Sequence, residues 1–230
     1  MTTFMLIHGA YQGGWIWKPV TARLRAAGHV AFNPSLDGCG ERAYQLRPGI
    51  TTETQAQELA DFLRCEDLKD VVVAGTSAGG MVMAALAERA RDRIARLVFA
   101  DALALRDGEK IRDIVTRPAA VVTEVGTGPK AEESYAKMVK DGVAPDLARW
   151  AAERFGLHPI GCFHDPVRLP SFWTQKWKAD VVYCPHALNP GEAHQRRCAE
   201  ALGARWHVID TGHYPMLSAP DELVRILVEG

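Results

Sequence analysis

The sequence predicts an α/β fold in which helices cover both faces of a mainly parallel sheet. Short apolar runs rich in β-branched residues alternate along the chain with segments of helical periodicity. This alternation is typical of β-α-β units, whose crossover connections are right-handed. Gly28, Gly75 and Gly203 fall where these segments end, as expected of turns and helix ends. A chain of 230 residues is suited to one domain with an insertion.

Six strands are predicted from the apolar runs, and helices are predicted between them. Each run is four residues or fewer and is bounded by polar or glycine-containing segments, as expected of buried parallel strands. The predicted strands are Phe4–Ile7, Val30–Phe32, Val71–Ala74, Leu97–Ala100, Val181–Cys184 and Trp206–Ile209. The predicted helices are Pro19–Ala27, Thr54–Arg64, a segment after Ser77, Glu192–Leu202 and Asp221–Val228.

The alternation stops between Leu105 and Lys178. This stretch carries the helix-like patterns "GEKIRDIV", "KAEESYAKMVK" and "PDLARWAAERF", and its longest strand-like run is "AAVV". We therefore predict a core formed by residues 1–104 and 179–230, interrupted by a helical cap at residues 105–178. The insertion leaves the sheet at the carboxyl end of a strand, which is where open α/β sheets bind ligands. It is expected to lie over that site.

The composition excludes several classes of function. The formal net charge is -1 and there is no block of lysine and arginine, so a nucleic-acid or anionic membrane partner is not expected. No apolar run approaches the ~20 residues that span a bilayer, and the N-terminus lacks the pattern of a signal peptide. The five cysteines are odd in number and none is spaced as CxxC, which favours a cytoplasmic location. A monomer or homodimer without metal or cofactor is expected.

Gly75-Thr76-Ser77-Ala78-Gly79 matches the pattern G-x-S-x-G between a predicted strand and a predicted helix. That pattern in that context is typical of a sharp turn that exposes a serine nucleophile above the sheet. The turn forces the serine into a strained backbone conformation, and the glycines remove side chains that would collide. The alternative is a glycine-rich turn in which Ser77 only caps the helix.

A second glycine-containing loop, His8-Gly9-Ala10, directly follows the first strand. Acyl transfer needs two N–H donors for the oxyanion, and the backbone of Ala10 and Ala78 is placed to provide them. His8 resembles a catalytic base, but it sits at a strand end and precedes the nucleophile in the chain. We expect His8 to hold the loop by hydrogen bonds instead.

Three residues are predicted to contact substrate: Tyr11 and Gln12 in this loop, and Trp173 in the insertion. The insertion is rich in aromatic residues, which favours an apolar pocket wall. Each of these aromatics is more often part of a core than a ligand contact. The candidates are Trp150, Phe155, Phe163, Phe172 and Trp173.

His213 is the predicted general base. It follows the last strand on a short Asp-Thr-Gly loop, which reaches the carboxyl edge of the sheet. Asp101, at the end of the strand "RLVFAD", is the preferred acid that orients its imidazole. Glu192, in the loop and helix start after the penultimate strand, is the alternative.

Five stretches of the chain together resemble the α/β-hydrolase fold. They are the loop "HGAYQGGWIW", the segment "NPSLDGCGERA", the turn "GTSAGG", the strand "RLVFADAL" and the ending "DTGHYPMLSAPDEL". The resemblance is to its small-esterase branch, which includes plant methylesterases, bacterial ester and carbamate hydrolases, and hydroxynitrile lyases. It covers nearly the whole chain and is weakest in the insertion. It implies Ser77 as nucleophile, His213 as base, and Ala10 and Ala78 as oxyanion donors.

Four positions depart from the patterns found in that branch. Thr76 stands where the family commonly has a histidine before the nucleophile, and Gln12 stands where it often has a second histidine. The family usually places its acid after the penultimate strand, where this chain has no aspartate, so Asp101 fits better. The lyases carry a lysine directly after the catalytic histidine, whereas this chain has Tyr214.

The sequence therefore predicts a serine hydrolase that cleaves a small carboxylic ester, with an aryl ester as one option, through an acyl-enzyme intermediate. A lyase, a C–C bond hydrolase or an amide or carbamate hydrolase using the same residues is the first alternative. A non-catalytic binder of small molecules is the second, and it is disfavoured because it has no use for a serine, a histidine and an acid together.

Overall fold

The centre of the structure, a computed structural model that describes residues 1–115 and 120–230, is a six-stranded parallel sheet. Along the described residues the strands are β1 (Thr3–Ile7), β2 (Val30–Phe32), β3 (Val71–Ser77), β4 (Ile94–Ala102), β5 (Val121–Val122), β6 (Gly126–Gly128), β7 (His158–Pro159), β8 (Ala179–Tyr183) and β9 (Arg205–Val208). The order of strands in the six-stranded sheet is β2-β1-β3-β4-β8-β9, and every neighbouring pair is parallel.

Helices follow most of the sheet strands, as the sequence predicted. In the described part of the chain they are α1 (Lys18–Ala26), α2 (Thr52–Cys65), α3 (Gly79–Arg89), α4 (Ile111–Ile114), α5 (Ala131–Lys140), α6 (Pro145–Ala152), α7 (Gly161–His164), α8 (Glu192–Leu202), α9 (Pro215–Ser218) and α10 (Pro220–Val228). The helix α2 begins with a reciprocal cap, in which the side chains of Thr51 and Thr54 each accept from the other's backbone N–H. Such a cap satisfies two donors that the first turn leaves unpaired.

The two faces of the sheet bury alternate residues of the same strands. In β1, Met5 and Ile7 belong to one core cluster, while Phe4 and Leu6 belong to the other. Residues of α2, α3 and α8 complete the first cluster, and residues of α1 and α10 complete the second. A strand buried on both faces reads as a continuous apolar run, which is why these strands were visible in the sequence.

β4 is longer than the apolar run by which it was predicted, because a buried arginine interrupts its apolar residues. It begins at Ile94, three residues before the predicted start, and includes Arg96, which is only 2% exposed. The guanidinium of Arg96 donates to Asp180 on β8 at 3.0 Å. An arginine interrupts the apolar pattern, so the early part of the strand could not be predicted from hydrophobicity.

The insertion at residues 105–178 was predicted to be helical. It contains α4 to α7, but its described residues also include strands. β5, β6 and β7 form a small antiparallel sheet within it. β6 and β7 are short and contain glycine or proline, so they lack the composition by which strands are recognised. β5 consists of the two valines that end the run "AAVV", which is too short to predict a strand by itself. Residues 116–119, which also belong to the predicted cap, lie outside the described residues.

Candidate active site

Ser77 lies at a sharp turn between β3 and α3. Its φ is 50°, in the left-handed region that a non-glycine residue seldom adopts. A Cβ on Gly79 would lie 2.5 Å from the Ile7 carbonyl oxygen, and one on Gly75 would lie 2.7 Å from the Gly79 carbonyl oxygen. The strain and the close packing predicted from the motif are therefore present, and they hold the serine above the end of the strand.

The loop after β1 packs directly against this serine. A Cβ on Gly9 would lie 2.7 Å from Ser77 Cβ and 3.3 Å from Ser77 Oγ, so only glycine permits the approach. The next residue, Ala10, lines the same cavity as Ser77. Ala78 is the residue at the start of α3, where the N–H groups and the dipole of a helix favour negative charge.

His213 and Asp101 meet at the same edge of the sheet. The Asp101 carboxylate is fully buried, and its Oδ2 lies 2.5 Å from His213 Nδ1. A carboxylate only accepts, so Nδ1 is the donor in this contact, and a neutral imidazole in this arrangement has its lone pair on Nε2. Asp101 has a φ of 47°, so the carboxylate is presented by a second strained residue at a strand end.

Glu192, the alternative acid, points elsewhere. It is the first residue of α8, and its carboxylate pairs with Arg196 at 2.8 Å on the surface of that helix. The described ion pair of Glu192 is thus with a residue of its own helix. The described structure thus brings Asp101, and not Glu192, to the imidazole.

Gln195 is a site residue that the sequence analysis missed. Its Nε2 donates to Asp101 Oδ1 at 2.6 Å and to the Pro190 carbonyl oxygen at 3.2 Å. Both carboxylate oxygens of Asp101 therefore have a hydrogen-bond partner. A clue was available, because Gln195 is the one polar member of the buried stripe on α8, which consists of Gln195, Cys198, Ala199 and Leu202.

His8 has the structural role expected of it. It is fully buried, and burial lowers its pKa to about 4, so the ring is neutral at physiological pH. Its Nε2 accepts from the Leu36 N–H at 3.0 Å, while Nδ1 lies 2.8 Å from the Gly9 carbonyl oxygen. These two bonds join the loop after β1 to the loop after β2.

A cavity of about 660 Å³ opens above Ser77 and His213. A volume of this order accommodates a drug-sized molecule. Aliphatic and aromatic side chains make up most of its wall, and charged residues from the insertion join them. In the described part of the chain its lining includes Leu103, Ile111, Val115, Val122, Pro129, Phe155, Phe163, Pro190 and Tyr214, with Arg112, Glu133 and Lys137 as the charged members.

Two of the three predicted substrate contacts line this cavity. Tyr11 stacks on Phe163 at a centroid distance of 5.9 Å, and Gln12 accepts from the Gly9 N–H at 3.0 Å. Trp173 is not among the described lining residues. Its indole N–H donates to the Leu105 carbonyl oxygen at 3.0 Å, and its ring packs on Phe172, so it belongs to the base of the insertion.

The other predicted aromatic candidates divide in the same way. Phe155 and Phe163 line the cavity, whereas Trp150 and Phe172 do not appear in its described wall. Trp150 packs edge-on against Trp15 at 5.3 Å. These positions depend on how the insertion folds back on the core, which aromatic content alone does not indicate.

The described residues include no group of three or more histidine, cysteine, aspartate or glutamate side chains placed to hold a metal ion. The cysteines are unpaired thiols, and all but Cys65 are buried. Burial raises the pKa of the Cys162 thiol to about 12 and also raises those of Cys39, Cys184 and Cys198. Thiols in that state are protonated and poorly nucleophilic, and no cysteine is among the described residues that line the cavity.

The fold and the placement of these groups are typical of an enzyme class that has its nucleophile at a strand-to-helix turn and a histidine after the last strand. The chain belongs to the alpha/beta hydrolase family, which matches residues 4–226. No helix in the described ranges is both long and apolar enough to cross a membrane.

Individual relatives are named as esterases. The chain is 36% identical over 125 residues to a carbendazim hydrolyzing esterase from Nocardioides sp., a match that covers 54% of this chain and about half (51%) of that protein. It is 31% identical to methylesterase 7 from Arabidopsis thaliana over 98% of this chain and 95% of the relative. A solved methylesterase from Arabidopsis shares the fold with a TM-score of 0.81 at 20% identity, covering 100% of this chain and 98% of that one.

Proposed function

We propose that this protein is a serine esterase that cleaves a small carboxylic ester through an acyl-enzyme intermediate. The single observation that carries the proposal is the contact of the buried Asp101 with His213, which lines the same cavity as Ser77. The chain belongs to the alpha/beta hydrolase family, and the relatives named above are esterases. The wall of the cavity consists mostly of aliphatic and aromatic side chains, which favours an ester with an aromatic or otherwise apolar group.

In the proposed mechanism, His213 Nε2 takes the proton of the Ser77 hydroxyl as Oγ attacks the ester carbonyl carbon. The carbonyl oxygen becomes an oxyanion, which accepts hydrogen bonds from the backbone N–H groups of Ala10 and Ala78. His213 then gives its proton to the departing alkoxide, which leaves as the alcohol. Water attacks the acyl-enzyme with His213 again as base, and the carboxylic acid and free Ser77 are released.

Asp101 has two functions in this proposal. Its hydrogen bond fixes the imidazole in the tautomer whose Nε2 is unprotonated, and its charge stabilises the imidazolium that forms in each half of the reaction. Gln195 keeps the carboxylate aimed at the ring by occupying its other oxygen. We also propose that residues 105–178 act as the cap that forms the outer wall of the cavity, since Phe155, Phe163 and Lys137 all line it.

A methyl carbamate is the second candidate substrate class, because a carbendazim hydrolyzing esterase is among the similar proteins. Its cleavage uses the same attack, oxyanion and leaving alcohol. Cyanohydrin cleavage is disfavoured because Tyr214 follows His213 where the lyases carry a lysine. A cytoplasmic location is proposed from the five unpaired thiols, which are typical of a reducing compartment.

The test is Ser77→Ala, measured on a panel of short-chain, aryl and methyl carbamate esters. We expect the rate to fall by a factor of up to about 10⁶ on every substrate that the wild type cleaves. A fluorophosphonate should label the wild type at Ser77 and leave the variant unlabelled. Hydrolysis by the variant at near-wild-type rate would overturn the proposal, and failure of the wild type to react with the label would favour a binding protein.

A further inference from the structure

One residue of the insertion, Asp141, contacts three consecutive residues of the loop that carries His213. It follows the last residue of α5. Its backbone carbonyl oxygen accepts from the Gly212 N–H at 3.1 Å and from Thr211 Oγ1 at 3.4 Å. Its carboxylate Oδ2 accepts from the His213 N–H at 3.4 Å, which is longer than the usual range of about 2.7–3.2 Å for such bonds.

Asp141 and the loop that carries His213 approach each other so closely that only glycine fits at position 212. A Cβ on Gly212 would lie 2.2 Å from Asp141 Cβ and 2.6 Å from Asp141 Cα. Contacts of that length do not occur between real side chains, so the glycine is required by the approach of Asp141. The loop and the end of α5 therefore form one packed unit.

The Asp141 carboxylate is held in place by a cavity residue. It is only 7% exposed, and the ammonium of Lys137, one turn earlier on α5, pairs with it. The Lys137 ammonium also lies 5.5 Å from the centre of the Tyr214 ring. Since Tyr214 directly follows His213, α5 contacts the loop on both sides of the histidine.

We propose that Asp141 is a positioning residue for His213, an inference that rests on the proposed esterase function. Asp101 fixes the ring at Nδ1 from the core, while Asp141 fixes the peptide of the same residue from the insertion. The direction in which Nε2 points depends on both anchors. Misplacement of a catalytic group by 1 Å costs about 10²-fold in rate, so the second anchor acts on catalysis and not on substrate binding.

The experiment compares Asp141→Ala and Asp141→Asn with wild type, using the ester of the panel that wild type cleaves fastest. For Asp141→Ala we expect kcat to fall about 10- to 100-fold while KM changes little. Asp141→Asn keeps an oxygen that accepts from the His213 N–H but loses the charge that pairs with Lys137. Its kcat should lie between those of wild type and Asp141→Ala, as partial rescue by a conservative variant.

Glu88→Gln is the matched control. The Glu88 carboxylate accepts from the backbone N–H groups of Ser171 and Phe172, at 3.2 and 2.6 Å. It therefore binds the other end of the same insertion, and these three residues are not among the described residues that line the cavity. We expect kcat of Glu88→Gln to equal that of wild type. Thermal unfolding of all three variants separates loss of stability from loss of kcat.

The inference is overturned if Asp141→Ala keeps the wild-type kcat, if only its KM rises, or if Glu88→Gln loses kcat to the same extent. Should Asp141→Ala not fold, Asp141→Asn decides alone: a lowered kcat with unchanged KM supports positioning, and an unchanged kcat excludes it. The proposed function fails separately, in the wild type, if no ester is cleaved and Ser77 is not labelled.

Discussion

At the scale of single residues, the site depends on which carboxylate reaches His213. The sequence offered Asp101 and Glu192, and both follow strands whose ends meet at one edge of the sheet. Asp101 is buried against the imidazole, and Gln195 occupies its other oxygen. Glu192 instead forms an exposed ion pair with Arg196, and such a pair contributes little to stability.

This difference makes the two carboxylates separable by mutation. Asp101→Asn keeps the shape of the side chain but presents an uncharged amide to His213, which stabilises the wrong tautomer. We expect kcat to fall by about 10⁴-fold, as measured by steady-state hydrolysis of the best ester. Glu192→Gln is the control and should retain wild-type kcat. The reverse result, with loss of activity only in Glu192→Gln, would transfer the role of the acid to Glu192.

At the scale of elements, the turn from β3 to α3 explains how the strained serine is tolerated. The start of α3 packs so closely on the end of β1 that a Cβ on Gly79 would collide with the backbone carbonyl oxygens of Ile7 and His8. The strain at Ser77 is held by this packing and by the hydrogen bonds between β1 and β3. Ser77 is therefore positioned by three elements together.

Gly79→Ala tests this packing through stability. Alanine is favoured over glycine in a helix by about 1 kcal/mol. Here, however, the added Cβ would lie 2.5 Å from the Ile7 carbonyl oxygen, and overpacking of this kind costs about 1–3 kcal/mol. We expect a net loss of free energy of unfolding, measured by urea denaturation.

Gly156→Ala is the matched control for that measurement. A Cβ at Gly156 meets no heavy atom within 4 Å, and the residue does not adopt a left-handed φ. Its free energy of unfolding should stay within about 0.5 kcal/mol of wild type. If Gly79→Ala were as stable as this control, the close packing of α3 on β1 would not be what holds the serine turn.

At the scale of the whole molecule, a buried ion network joins the end of the chain to the sheet. Asp180 on β8 is fully buried and pairs with Arg96 at 3.0 Å, Arg205 at 2.7 Å and His207 at 2.7 Å. Arg96 also donates to the carbonyl oxygen of Leu227, near the end of α10. The network thus connects β4, β8, β9 and α10, and it lies at the opposite end of the strands from Ser77.

The charge of Asp180 gives the fold a dependence on pH. Burial by itself would raise the pKa of Asp180, but hydrogen bonds from Arg205 and His207 and the charge of Arg96 outweigh burial and hold the pKa below its usual value of 3.8. A carboxyl whose pKa is lower in the folded state stabilises the fold above its unfolded pKa, and that stabilisation is lost as the pH falls through the folded pKa. We expect stability to decline on acidification below about pH 4.

Asp180→Asn removes the negative charge and leaves Arg96 buried without a counter-ion. Breaking a buried pair in this way costs about 3–5 kcal/mol, which urea denaturation at pH 7 would measure. The variant should also show a smaller decline of stability between pH 5 and about pH 3 than wild type. An unchanged free energy of unfolding, or an unchanged acid dependence, would contradict the importance assigned to this network.

Much of the fold and part of the site could be predicted because they are encoded in short stretches of chain. Strands buried on both faces leave continuous apolar runs, and the serine turn needs glycines at fixed neighbouring positions, so β1, β3 and Ser77 were visible locally. The chain order of Ser77 and His213 and the exclusion of His8 as a base also came from local context. The catalytic roles themselves stay predictions.

Only the tertiary structure decided the features that depend on contacts between distant residues. Whether Asp101 or Glu192 contacts His213 depends on the path of the chain between Asp101 and His213, which are separated by 112 residues in sequence. The packing of Asp141 on Gly212 and the exclusion of Trp173 from the cavity required the path of the insertion over the core. Local patterns determine which elements form and which residues stand at their ends. Which of those ends meet is determined by how the elements pack, because close packing and buried charge are properties of the assembled chain.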